Sequence, residues 1–91
     1  MNDYMDEETL ILKTQIELSS HRVKVLKAFE GRDVIRPKQI AELTGMNINH
    51  VSRSLGELRS MDLVKVLNPN VRANRNYTLT NMGKHIINYL D

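Results

Sequence analysis

Apolar residues recur every three or four positions in five stretches of this chain, and three shorter stretches carry β-prone residues. The acids Asp6, Glu7 and Glu8 stand where a helix start favours negative charge, and Leu12 and Ile16 follow at helical spacing with Leu10 and Ile11 beside them. The spacing predicts a helix from about Glu7 to about Leu18, the competing reading being a strand through Thr9 to Lys13. As a helix it has more apolar surface than one-sided packing uses, so the surplus must be covered. Residues 1–5 are polar with two Met and one Tyr, and are expected to fray. Ser19 or Ser20 caps a second helix, in which Val23, Leu26 and Phe29 repeat at spacing three with Val25 beside them until Gly31 closes the segment. Phe29 is assigned to the core, and Arg22, Lys24 and Lys27 are read as solvated. The β-prone triplet Val34, Ile35 and Arg36 is ended by Pro37, which suits the first position of the next helix because its missing N–H would be unpaired there anyway.

From Lys38 to Val64 the chain reads KQIAELTGMNINHVSRSLGELRSMDLV, two helices joined by a tight turn. Ile40 and Leu43 share one face of the first, with small Ala41 between them; Gly45 ends it and Asn47 caps the second. Ile48, Val51, Leu55 and Leu58 then form an apolar stripe over about three turns. Opposite lie Asn49, Arg53, Gly56 and Ser60, flanked by His50, Ser52 and Glu57. This is the pattern of a helix-turn-helix. Its polar face has the residue types that read base edges, since Arg pairs bidentately with guanine and Asn with adenine. Taken alone, such a face is more often a solvated helix surface.

A strand-like run follows over Leu63 to Leu67, broken by Asn68-Pro69-Asn70, and a second begins near Arg75 with Tyr77 and Leu79 on one face. Between them the polar loop NPNVRANRN holds Arg72 and Arg75 and no apolar anchor except Val71. Thr80 caps a last helix with Met82, Ile86, Tyr89 and Leu90 on one face and Ile87 to the side, and Gly83 near its start permits close contact with a neighbour. The order is helix, helix, strand, helix, helix, strand, loop, strand, helix: mainly α with a small β-wing.

Composition narrows the functions. Ninety-one residues, 41% of them apolar, supply one modest core and one domain. With no cysteine and with His21, His50 and His85 far apart, neither a disulfide framework nor a metal site is expected. The longest aliphatic run, Leu10 to Leu12, falls short of a membrane span, and no basic-then-apolar leader precedes it, so a cytoplasmic protein with no membrane partner is expected. The net charge of +2 divides unevenly: residues 1–20 hold five acids against Lys13, a net of −4, and residues 21–91 hold twelve Lys and Arg against six acids, a net of +6. A basic region suits phosphate contact.

With the helix pair and the strand-loop-strand both in view, the chain resembles the winged helix-turn-helix DNA-binding domains of small prokaryotic regulators of the broad MarR and ArsR type. IAELTGMNINHVSRSLGELRSMDLV is similar to that group's second and third helices, and YTLTNMGKHIINYL to its second wing strand and closing helix. VSRSLGEL, LVKVLNP and YTLTNMG together resemble a set of archaeal winged-helix regulators most closely. The resemblance covers roughly Ser20 to Leu90, which leaves residues 1–19 as a helical N-terminal extension and residues 20–91 as the winged-helix domain. Asp62 and Asn74 stand where such domains usually or often have Gly, and Asp and Asn are the other residues that best tolerate positive φ. The resemblance implies that the helix from Ile48 enters the major groove with Asn49, His50, Ser52 and Arg53 nearest the bases. It implies that Asn47 and Gln39 approach the phosphate backbone, and that Arg72 and Arg75 reach an adjacent minor groove or its phosphates.

The expected function is a transcription regulator that binds double-stranded DNA, as a homodimer, with no catalytic activity, no cofactor and no small-molecule ligand evident. The dimer is expected from surplus apolar residues at both ends: Leu10, Ile11, Leu12, Ile16 and Leu18 in front, Ile86, Ile87, Tyr89 and Leu90 behind. The competing reading is a winged helix used for protein contact in the transcription machinery, which apolar residues on the outward helix face would favour. RNA binding lacks a stacking platform, because Tyr4, Phe29, Tyr77 and Tyr89 fall at core-like or terminal positions. Enzymatic chemistry lacks a nucleophile with a base at workable spacing, paired carboxylates in an apolar setting, or a Gly-rich phosphate loop.

Overall fold

The computed structural model describes residues 6–90; the expectations for residues 1–5, Tyr4 included, lie outside that range. Helix α1 (Glu7–Glu17) opens on Asp6, whose carboxylate accepts the Thr9 N–H at 2.7 Å. That bond satisfies an amide the helix start would leave unpaired, and by favouring the ionised form it holds the Asp6 carboxyl below its ordinary pKa. The competing strand is thereby set aside. Ser19 caps α2 (Ser20–Lys27) by accepting the Arg22 N–H, and the chain turns at Gly31 with φ of 75°. Of the triplet before Pro37, only Ile35 pairs, in an isolated bridge whose two hydrogen bonds with Tyr77 measure 3.0 and 2.9 Å. Pro37 has no N–H to extend it, and serves as the first residue of α3 (Pro37–Thr44).

Helix α3 ends on Gly45 in the left-handed conformation, φ 73°. Two residues on, Asn47 caps α4 (Ile48–Ser60) by accepting the Asn49 N–H at 2.8 Å. Asp62, at φ 60°, turns the chain into β1 (Val64–Val66), which pairs antiparallel with β2 (Tyr77–Leu79) in the register Val64 with Leu79, Lys65 with Thr78 and Val66 with Tyr77. Asn74 in the hairpin loop also takes positive φ, 57°. Thr80 caps α5 (Asn81–Ile86) by accepting the Gly83 N–H, and one 3-10 turn, Ile87–Tyr89, follows.

One core joins all of these elements. Val51, Leu55 and Leu58 of α4 meet Val25, Leu26 and Phe29 from α2 and its C-terminal turn, Ile40 of α3, and Leu63 and Val64 at the hairpin root. Ile16 brings α1 into the same cluster and Ile86 brings α5. Gly83 is buried where α5 crosses the hairpin root; a Cβ there would strike the carbonyl oxygen of Leu63.

Four expectations about packing need correction. Leu43 is 52% exposed, because the inner face of α3 runs through Ile40, Ala41 and Thr44 and leaves Leu43 past the contact. Ile48 is 45% exposed at the first position of α4, ahead of the helix crossing, and Ser54 is buried in the α4 interface instead. Ile87 is in the core rather than off to the side, buried together with its neighbour Ile86 where α5 passes into the 3-10 turn. With Ile86, Ile87 and Leu90 all buried, the C-terminal end has no large apolar surplus among the described residues; at the N-terminal end Ile16 is buried too, but Leu10 and Ile11 of α1 and Leu18 just past it are exposed.

Candidate nucleic-acid interface

Helix α4 projects one polar strip because its core stripe is complete on the other side. Asn49 and Arg53 lie outermost, both exposed. Arg53 makes no hydrogen bond or ion pair among the described residues, so its guanidinium keeps all its donors. Around the helix in one direction, Ser52, Gly56 and Arg59 fall four and three residues apart and face the hairpin loop. In the other, His50 stacks its ring on His21 of α2, centroids 4.7 Å apart and planes 25° from parallel. Glu57 on the same side accepts a 2.9 Å hydrogen bond from Arg22 Nε, whose Nη1 also donates to the Gln15 carbonyl. Arg22 is thus a tie between α1, α2 and α4 rather than the solvated cation expected from the sequence.

The hairpin loop is braced from within. The Asn68 side chain donates to the Asn74 carbonyl and accepts the Asn76 N–H at 2.7 Å, while Leu67 N–H donates to the Asn76 carbonyl at 2.8 Å. Arg75 turns its Nε onto the Val71 carbonyl, 2.8 Å, and Arg72 projects outward without such a bond. Thr78 anchors the hairpin to the segment before α3 by donating to the Asp33 carbonyl at 2.6 Å.

Two open clefts flank the loop and share Pro37 and Asn74. The first, about 320 Å³, lies between α4 and the hairpin, lined by Ser52, Gly56, Arg59, Arg72, Arg75 and Tyr77 besides the shared pair. The second, about 460 Å³, lies at the starts of α3 and α4, lined by Arg36, Lys38, Gln39, Glu42 and Ile48 with the same pair. Gln39 accepts the Arg36 N–H with its side-chain oxygen at 2.9 Å, which leaves its amide group as donor; Asn47 is used in the same way by its capping bond.

Of the eight residues singled out in the sequence, Ser52, Arg72 and Arg75 meet in the first cleft and Gln39 lines the second, while Asn47, Asn49 and Arg53 are exposed at the cap and along the outer face of α4. His50, one residue round the helix from Asn49, faces α2 and stacks on His21. The sequence reading missed Arg59, whose signal is its place seven residues after Ser52 on the same strip, and Arg36 and Lys38, which bracket Pro37. It also missed the bracing role of Asn68, which no local pattern announces. Among the described residues no group of three or more His, Asp or Glu is placed to hold a metal ion, and no helix is long and apolar enough to cross a membrane.

No family model matches the chain, and no curated protein sequence matches it. Solved structures do. TubR bound to 24 bp of tubC, from Bacillus thuringiensis serovar israelensis pBtoxis, superposes with a TM-score of 0.77 at 17% identity, over 94% of this chain and 95% of that one. A mutant MarR from E. coli complexed with operator DNA gives 0.70 at 22% identity, over 93% of this chain and 61% of that one. BpsR of Bordetella bronchiseptica gives 0.72 at 18% identity, over 90% and 69%. The fold is the MarR-like winged helix. In its terms the β1–β2 hairpin is the wing and α4 the second helix of the helix-turn-helix. The chain spans nearly all of TubR but only about three-fifths of that MarR chain.

Proposed function

We propose that this chain is a sequence-specific regulator of transcription that binds double-stranded DNA, with α4 in the major groove and the wing on the backbone or in a minor groove. The observation that carries the reading is the surface shared by α4 and the wing: Asn49 and Arg53 project unburied from α4, and the flank toward the wing is lined by Arg59, Arg72 and Arg75. Base-reading donors on a helix beside phosphate-seeking cations are what duplex recognition requires. TubR and MarR, which share the fold, were each solved on duplex DNA. In this reading Arg53 and Asn49 read bases and Ser52 supports them. Gln39, Asn47, Arg72 and Arg75 hold phosphates or the minor-groove edge, and His50 acts at the margin. The protein works in the cytoplasm beside the DNA, without catalytic chemistry.

We further propose a homodimer. Leu10 and Ile11 on α1 and Leu18 at its C-terminal end are 52%, 51% and 78% exposed, more apolar surface than one short helix presents to water without a use. A two-fold pair would set two α4 helices about one DNA turn apart, roughly 34 Å, on a pseudo-palindrome.

The second reading, a winged helix for protein contact, has one observation in its favour: Leu43 and Ile48 are exposed near the helix-turn-helix. Ile48, at the start of α4, is equally placed for a thymine methyl group. Selection of bound duplexes from a random pool decides between them. The DNA reading predicts recovery of a motif, a pseudo-palindrome for a dimer; recovery of no motif at moderate salt would favour the protein partner.

A further inference from the structure

Gly56 has no reason to be glycine within the fold. It sits mid-helix in α4 with an ordinary helical backbone, and a Cβ built there meets nothing within 4 Å among the described residues. A glycine in such a place weakens the helix without relieving any internal crowding. The space it leaves opens on the 320 Å³ cleft beneath the wing, where Arg59 comes from α4 and Arg72 and Arg75 from the wing. Among the described residues no carboxylate lines that cleft. The loop bonds of Asn68 and Arg75 hold the wing side of it in shape before anything binds.

We propose that this cleft is a seat for one backbone phosphate of the bound duplex, with Gly56 as its floor and Arg59 as the helix-borne ligand, a role that rests on the DNA-binding reading above. Glycine admits close approach of a nucleic-acid backbone, and guanidinium groups are the side chains best matched to phosphate oxygens. Arg59, Arg72 and Arg75, from two elements, line the cleft with no acid in its lining to neutralise them, which makes it electropositive.

Gly56→Ala and Arg59→Ala test the seat on the intact chain, with a duplex recovered by selection and a scrambled one, across a salt series. Gly56→Ala should raise the melting midpoint by roughly 2 to 8 °C, as expected for alanine in an exposed helix site. The same change should weaken both duplexes about tenfold, because a methyl group overfills a close contact. Arg59→Ala should weaken both alike and make the slope of log affinity against log salt shallower by about 0.9, with Arg59→Lys restoring most of it. Wild-type affinity in Gly56→Ala, or an unchanged slope in Arg59→Ala, overturns the seat while leaving DNA binding intact. Failure of the unaltered protein to bind any duplex at low salt removes the functional reading, and the seat with it.

Discussion

Gly83→Ala probes the joint on which the wing is mounted. The added Cβ would run into the Leu63 carbonyl oxygen, with the Leu63 carbonyl carbon and a Leu79 methyl both 3.1 Å away. The Leu79 methyl can rotate aside. The carbonyl cannot withdraw so easily, because its oxygen accepts the Thr80 N–H at 3.0 Å and Thr80 in turn caps α5. Clearing the clash by backbone movement costs about 1 to 3 kcal/mol, as overpacked sites do, and loss of the Thr80 bond adds about 1. Alanine's better helix propensity offsets about 1 kcal/mol of this. A net loss of about 1 to 3 kcal/mol should lower the melting midpoint by roughly 5 to 20 °C in a domain of this size. Thermal and urea unfolding followed by circular dichroism measure it, and Gly56→Ala, a helical glycine in open space, is the control with the opposite sign. A Gly83→Ala midpoint at or above that of the unaltered protein, or shifts of the same sign in both variants, would show that the Leu63 carbonyl does not require glycine at position 83.

Other expectations follow from single contacts. Asn68→Ala should speed amide exchange at Asn76 with core amides unchanged, because the wing loop loses its brace; equal exchange at Asn76 would contradict this. The folded pKa of Asp6 lies below an unfolded value of about 3.9, so its cap contributes fully above about pH 5 and fades as pH falls through the folded value. Asp6→Asn keeps a capping oxygen without the titration, and stability profiles of the two proteins that stay parallel below pH 5 would go against it. Replacing Leu10 and Ile11 together by Glu should leave a folded monomer in sedimentation at micromolar concentration, since neither side chain is buried; an unchanged sedimentation profile would remove α1 as the dimer surface.

What the sequence made legible was local. Asn47, Ser19 and Thr80 cap helices as their hydroxyl or amide chemistry predicts, Pro37 and Gly45 bound α3, and Asp62 and Asn74 carry the positive φ for which they are suited. Strand-loop-strand and closing helix followed from alternation and spacing. Long-range choices were not legible. Periodicity places Leu43 and Ile48 on apolar faces but cannot say where a neighbouring helix stops, nor that the core reaches far enough around α5 to bury Ile87 beside Ile86. The same holds at the candidate interface. That Arg22 would meet Glu57, thirty-five residues away, and that His21 would stack on His50 depend on how α2 crosses α4. Exposed Asn49, Arg53 and Arg72 were legible because outward positions on a helix or loop need no partner to define them.

Arg53→Ala distinguishes an α4 that reads bases from one that only holds phosphates alongside the wing. Binding isotherms are measured on a selected duplex and on a scrambled one, across a salt series. Arg53→Ala should cost about 1 to 3 kcal/mol on the selected duplex and change little on the scrambled one, so that discrimination collapses. In the same series, replacing Arg72 and Arg75 by Ala should weaken both duplexes evenly and reduce the salt slope by about 0.9 for each phosphate no longer held. Equal losses on the two duplexes from Arg53→Ala would mean that Arg53 holds a phosphate and does not read a base.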